Sequence, residues 1–310
     1  MRILVIGGTG HIGTYLVPRL VRSGHQVGVL TRGERRPYRD DEAWGDVEMI
    51  TCDRSRAEAD GGFGALVAQW RPEAVHDLTC FTVAQARQLT DALDGQLLVQ
   101  TGSIWSWGPS EVVPTTEQSP RYPTDEYGTN KAAVQDFLLG EQQRVRAAVV
   151  HPGHISGPGW VAVNPAGNLD LEVYQSLRRD GSVTLPERGL GMLQHVHADD
   201  VARLHQRVMD QPEASVGEAF NAVCEQSLTL RGYAGLLAAR AGHELRARYL
   251  PWDDFAAEAG EHAAATAEHI GRSPHHSMAK ARELLGFVPQ YTAPQTVLAA
   301  FDALVASQTV

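Results

Sequence analysis

The segment Arg2-Ile3-Leu4-Val5-Ile6-Gly7-Gly8-Thr9-Gly10-His11-Ile12-Gly13 decides the fold. Its branched apolar run reads as a buried strand, its glycines as a turn, and the amphipathic stretch that follows, to about Ser23, as a helix. Gly7 permits the tight turn, Gly10 lets backbone approach a pyrophosphate, and Gly13 lets the helix pack closely, while N–H groups at the helix start can bind phosphate. By itself such a turn is common. It gains weight as the first member of a series, because strand-like runs recur at Gln26–Thr31, Val47–Thr51, Ala74–Leu78, Gln96–Thr101 and Arg146–Val150 with helix-like segments between them. That alternation implies an α/β fold, a doubly wound parallel sheet covered on both faces.

The rhythm breaks after His151, where Gly153, Gly157, Pro158, Gly159 and Pro165 mark loops. Residues 1–151 are therefore expected to form a dinucleotide-binding unit, to which segments near 192–211 and 218–222 return, and residues 152–310 mainly a smaller substrate-binding lobe with C-terminal helices. Within that lobe, helices are expected near Leu169–Arg179, Leu230–Ala241 and Pro294–Val305, and a strand followed by a helix over Met192–Met209. The Ala/Glu/His-rich stretch from Asp253 to Ile270 reads as a solvated helix face or a mobile cover over the substrate.

With 310 residues, 43% of them apolar, the chain can bury a full core. The formal net charge of -10 repels the phosphates of nucleic acid at long range and argues against such a partner. Cys52, Cys80 and Cys224 are odd in number and far apart, which suits a reducing compartment and suggests neither a disulfide framework nor a thiolate metal site. No apolar run approaches the length of a membrane span. A cytoplasmic, unanchored protein is the expectation.

Three further features bear on chemistry. The second strand ends Thr31-Arg32-Gly33-Glu34-Arg35-Arg36, with an arginine where a carboxylate would grip the ribose 2'-hydroxyl of NAD. A guanidinium there can pair with a 2'-phosphate, so NADP is slightly favoured over NAD. Tyr127 and Lys131 stand four residues apart, on one helix face, where an ammonium can favour the phenolate of a tyrosine acting as acid or base. Such pairs are frequent on surface helices, and what singles this one out is its place after the fifth strand. That strand ends Thr101-Gly102-Ser103-Ile104-Trp105-Ser106-Trp107-Gly108, at the carboxyl edge where open α/β sheets bind ligands.

Together with Asp77-Leu78, His151-Pro152-Gly153-His154-Ile155-Ser156-Gly157-Pro158-Gly159, His195-Val196-His197-Ala198-Asp199-Asp200 and Ala279-Lys280-Ala281-Arg282-Glu283-Leu284-Leu285-Gly286, these segments make the chain resemble, over nearly its whole length, the extended short-chain dehydrogenases/reductases of the NAD-dependent epimerase/dehydratase family. The resemblance implies a Rossmann-type fold and a Ser/Tyr/Lys triad of Ser103, Tyr127 and Lys131, with Ser103 found by counting back five residues from Gly108 and Ser106 as its competitor. It implies cofactor contacts from Gly7, Thr9, Gly10, His11, Ile12, Gly13, Arg32, Asp53, Leu78, Thr101, Tyr127, Lys131, Pro152 and His154. Asp53 stands where the family contacts adenine, and turn capping would equally explain it. Substrate contacts are expected from Ser103, Ile104, Trp105, Trp107, Asn168 and His195, with Trp107, in place of the family's tyrosine, as a bulky pocket wall. His151 replaces the usual arginine.

The expected reaction is epimerisation of a nucleotide-sugar. A 4,6-dehydratase is disfavoured, because Ile104 and Trp105 occupy the places of that branch's Asp-Glu pair. Rivals are an NADP-dependent keto-sugar reductase, a ring mutase, and a dinucleotide-sensing or RNA-associated protein of the kind found in a branch sharing the Gly-Gly-Thr-Gly start. No metal is expected. His195 and His197 at i and i+2, with His151 and His154, are nevertheless a metal-compatible alternative. The reading leaves a homodimer open.

Overall fold

A computed structural model describes residues 1–140 and 145–310. Its strands are β1 (Arg2–Ile6), β2 (Gln26–Thr31), β3 (Glu48–Thr51), β4 (Ala74–Asp77), β5 (Leu97–Thr101), β6 (Arg146–Pro152), β7 (His154–Ser156), β8 (Ser182–Pro186), β9 (Met192–Leu193), β10 (His195–His197), β11 (Ala219–Ala222), β12 (Leu228–Thr229) and β13 (Arg246–Leu250). The helices are α1 (Gly13–Arg22), α2 (Arg54–Ala59), α3 (Phe63–Trp70), α4 (Val83–Asp91), α5 (Glu126–Gly140), α6 (Leu171–Asp180), α7 (Ala198–Asp210), α8 (Pro212–Ser215), α9 (Leu230–Arg240), α10 (Trp252–Ala259), α11 (Ala263–Gly271), α12 (Ala279–Leu285) and α13 (Ala293–Ala306).

Among the described residues, seven strands form one sheet in the order β11-β6-β5-β4-β1-β2-β3, all paired in parallel. The first six expected strands therefore occur, within two residues at each end. Strand order reverses between β1 and β4, and the carboxyl ends of these two strands open the crevice in which this fold binds ligands. Two apolar layers sandwich the sheet: Ile3, Val5, Leu16, Leu20 and Val201 pack on one face, and Leu4, Ile6, Phe63, Leu89 and Leu138 on the other. Alternate residues of β1 thus serve opposite faces, which is why its sequence is apolar at every position from Ile3 to Ile6.

The glycine-rich turn is held by close backbone approach. A Cβ on Gly13 would stand 2.1 Å from the Gly8 carbonyl oxygen, a contact no larger residue can make. The sequence reading assigned Gly13 to helix-strand packing, and the structure places its close neighbour within the turn itself.

A smaller core gathers Tyr174, Leu177, Leu185, Tyr233, Leu237 and Phe301 from the C-terminal half. There β8 and β13 pair in parallel, and neither was legible in the sequence. Ser182-Val183-Thr184-Leu185-Pro186 and Arg246-Ala247-Arg248-Tyr249-Leu250 mix polar and apolar residues in runs too short for a clear period. The Ala/Glu/His-rich stretch forms α10 and α11, joined by a short 3-10 turn, and it packs rather than standing free: Thr266 is fully buried and accepts a hydrogen bond from Asn168 Nδ2 at 3.0 Å. No helix among the described residues is long and apolar enough to cross a membrane.

Candidate active site

At the carboxyl edge, β5 runs into Ser103, which N-caps a short 3-10 turn, its Oγ accepting from Trp105 N–H at 3.2 Å. His151, at the end of β6, fixes this corner: its Nδ1 accepts from Ser103 N–H at 2.9 Å. The two strands approach so closely that a Cβ on Gly102 would lie 2.3 Å from His151 Nδ1. The residue that departs from the family pattern is thus a positioning group for Ser103, which sequence alone did not reveal.

Tyr127 enters from the first turn of α5, its hydroxyl facing that of Ser103. Withdrawal from water pushes the phenol pKa up, and the Ser103 hydroxyl opposes this only in part. The Tyr127 ring, 40% exposed, stands edge-on to Trp105 with centroids 5.7 Å apart. Lys131 lies one turn further along and is 2% exposed. Its Nζ donates to the Cys80 carbonyl at 2.8 Å and the Thr101 carbonyl at 2.9 Å, and burial lowers its pKa to about 8. Without cofactor, desolvation dominates at Tyr127, and the Lys131 ammonium is directed at the two carbonyls. Ser106 is fully buried and its Oγ has no partner, so Ser103, not Ser106, meets the tyrosine.

The pocket wall also differs from expectation. Trp107 is 1% exposed, wedged edge-on between His151 and His276, and Ile104 lies in the core. Both are packing beneath the site, because the 3-10 turn rotates their side chains inward. Trp105 forms the wall. The Arg272 guanidinium stacks 3.6 Å from its ring centroid and is ion-paired with Asp125. Asn168 is buried with both amide atoms engaged by Asn164, Asp170 and Thr266, so it shapes the lobe rather than reaching out.

Three histidines cluster behind Trp105. His154 lies 5.7 Å from His195 and 5.2 Å from His269 between ring centroids, and His269 is 5.4 Å from Trp105. His154 Nδ1 faces the Gln194 carbonyl and His269 Nδ1 the Gly167 and Ala265 carbonyls, so each Nδ1 must donate. Ser156 Oγ donates to the His154 carbonyl and so accepts from His195 Nδ1. Each ring is left with Nε2 as an acceptor, and those of His154 and His195 are buried without a partner. The pairing of His195 with His197 does not occur: His197 Nδ1 instead caps α7 and its ring stacks on Tyr291 at 3.9 Å. Among the described residues, no three His, Cys, Asp or Glu side chains are gathered so as to hold a metal ion.

A cleft of about 600 Å³ opens beside the switch point, lined by Gly7, Thr9, Gly10, His11, Arg32, Tyr38, Asp53, Arg54, Thr79, Phe81 and Trp160, among others. Arg32 is exposed and paired with Glu34 at 3.2 Å. Asp53 N-caps α2, as the capping reading expected, and it also lines the cleft. Arg54 was not foreseen: it is buried, salt-bridged to Asp77 at 2.8 Å and to Glu58 at 2.6 Å, and its Nη2 is left without a partner. Of the expected cofactor contacts, Ile12, Gly13, Leu78, Thr101, Tyr127, Lys131, Pro152 and His154 are not among the residues lining this cleft; Ile12 belongs to the core and Leu78 packs against it. Glycines at the turn, an unpaired buried guanidinium nitrogen and the unpaired nitrogens of His11 suit a dinucleotide's pyrophosphate.

Residues 3–222 match the NAD dependent epimerase/dehydratase family. The chain belongs to that family. Its members are NAD-dependent enzymes of the extended short-chain dehydrogenase type. Over 139 residues, 44% of this chain and 38% of the relative, it is 34% identical to a 2'-dehydrokanamycin reductase of Streptomyces kanamyceticus; the match thus spans well under half of that reductase. It is 21% identical to a UDP-glucose 4-epimerase of Corynebacterium glutamicum, covering 96% of this chain and 94% of that one. The crystal structure of a Thermotoga maritima UDP-glucose 4-epimerase with UDP-glucose superposes with a TM-score of 0.77 at 18% identity, covering 99% of this chain and 100% of the other.

Proposed function

We propose that this family member is an NAD(P)-dependent nucleotide-sugar epimerase that moves hydride and proton at one sugar carbon. The observation that carries the reading is the meeting of the Ser103 and Tyr127 hydroxyls above buried Lys131. Ser103 holds the reacting oxygen by a hydrogen bond, and Tyr127 Oη removes its proton and later returns it. Lys131 holds the ends of the β4 and β5 segments in register through two carbonyls and places its charge beneath the site. When bound, a nicotinamide supplies the hydride acceptor and a positive charge that favours the phenolate. Mass spectrometry of small molecules released from the purified, denatured protein tests the reading. A retained dinucleotide is expected of an epimerase, which returns the hydride to the same sugar; protein that purifies empty favours the second reading, an NADP-dependent keto-sugar reductase exchanging its cofactor, to which the 34% identity with the 2'-dehydrokanamycin reductase also points.

Arg32 supports NADP over NAD. Its exposed pair with Glu34 contributes at most about 1 kcal/mol, less than the charge-assisted hydrogen bonds a 2'-phosphate would offer. Arg32→Asp is therefore expected to weaken NADP binding far more than NAD binding in calorimetric titrations, and equal losses would show that Arg32 does not read the phosphate. Because the proposed chemistry needs no metal, activity is expected to survive exhaustive dialysis against a chelator. Loss of activity restored by a divalent ion would return the histidines to consideration as ligands.

A further inference from the structure

The loop after β7 reaches back across the cofactor cleft. Trp160 stacks on His11, in the glycine-rich turn, with ring centroids 4.4 Å apart and planes at 19°. Tyr38 stands edge-on to both rings at 5.9 Å and is anchored by its backbone N–H to Thr14 Oγ1 at 2.8 Å. The loop lies directly on this tyrosine, since a Cβ on Gly159 would be 2.7 Å from the Tyr38 Cβ. All three rings line the cleft that also contains Thr9, Gly10 and Arg32.

Two properties of the stack point to a ligand. His11 is 6% exposed, yet neither ring nitrogen has a partner, and a buried polar group left unpaired is costly. Trp160, by contrast, is 38% exposed, so its stack can part without opening the core. A closed ring pair beside the first turn of α1, with an unpaired imidazole beneath it, is suited to cover an anionic group bound at that turn.

We propose that Trp160 is a clasp that closes over the pyrophosphate-bearing part of a bound dinucleotide and sets how fast the cofactor leaves, with His11 as both the stacking platform and a hydrogen-bond donor to a phosphate oxygen. This rests on the NAD(P) reading of the cleft. It also assigns a residue of the substrate-binding half to cofactor retention, the property that separates an epimerase from a cofactor-exchanging reductase. Stacked aromatic pairs have a modest strength, so removing one should accelerate release about 2- to 10-fold.

The test is stopped-flow displacement of NADPH from the full chain, followed by nucleotide fluorescence. Trp160→Ala should release NADPH about 2- to 10-fold faster, and Trp160→Phe, which keeps an aromatic face, should fall between it and the wild type. His11→Phe should weaken affinity while preserving the sensitivity to Trp160→Ala. Trp160→Ala combined with His11→Ala should cost less than the sum of the two, because both remove the same contact. An unchanged release rate in Trp160→Ala, or strict additivity with His11→Ala, overturns the clasp while leaving the cofactor reading intact. Failure of the wild type to bind either dinucleotide would instead sink the reading on which the clasp rests.

Discussion

Tyr127→Phe is expected to lower turnover by about 10²- to 10⁴-fold, the usual contribution of a positioned proton-transfer group, while fold and cofactor affinity stay close to wild type. The substitution removes one oxygen from a ring that is 40% exposed, and its contacts with Trp105 and Phe81 are made by ring carbons. What is lost is the hydroxyl's interaction with Ser103. Because burial raises the phenol pKa, the tyrosine is protonated across the neutral range without cofactor and substrate. Steady-state kinetics, with dinucleotide titrations of both proteins, provide the check. Near-wild-type turnover would mean that another group handles the proton, and the Ser/Tyr/Lys reading would be withdrawn.

Lys131→Met should behave differently, lowering rate, cofactor affinity and stability together. Methionine fills much of the same volume but cannot donate, so the Cys80 and Thr101 carbonyls lose their buried partner, a loss on the order of 1–3 kcal/mol for each unsatisfied group. The Cys80 carbonyl lies in the segment just past β4 and the Thr101 carbonyl ends β5, so their displacement would disturb the crevice edge at β4 as well as Tyr127. The pH dependence supplies a second signature. The lysine's pKa is lowered in the folded protein to about 8 from 10.5, so between these values the unfolded chain binds more protons and stability rises with pH. Lys131→Met should lack that rise. Urea unfolding of both proteins at pH 7.5 and 10 would show it, and identical pH slopes would mean that the lysine is not desolvated as the structure indicates.

Much of the cofactor-binding half was legible because its signals are local. An apolar run ending in glycines, followed by a helical period, leaves little freedom, and β1 to β6 appear where their sequences suggest. The Tyr127/Lys131 pair was readable for the same reason, since a helix brings residues four apart onto one face. The wall of the site was not. Trp105 and Trp107 differ by two residues and look interchangeable in sequence, yet the 3-10 turn at Ile104–Trp107 aims one at Tyr127 and the other into the core between His151 and His276. Nor could the histidines be sorted, as His195 and His197 have the same spacing whether they share a ligand or, as here, one joins His154 and the other caps α7.

The sequence by itself determined the parallel sheet, the glycine turn and the family, and it singled out Ser103, Tyr127 and Lys131 as candidates, each from a pattern local to its own segment. Only the tertiary structure decided that His151 holds Ser103, that Arg54 reaches Asp77, that α11 covers Trp105 with His269 and Arg272, and that Trp160 closes on His11 from 149 positions away. Local propensity and periodicity act between chain neighbours, whereas these contacts depend on how distant segments meet when the sheet and the smaller core pack, and no periodicity along the chain encodes that meeting.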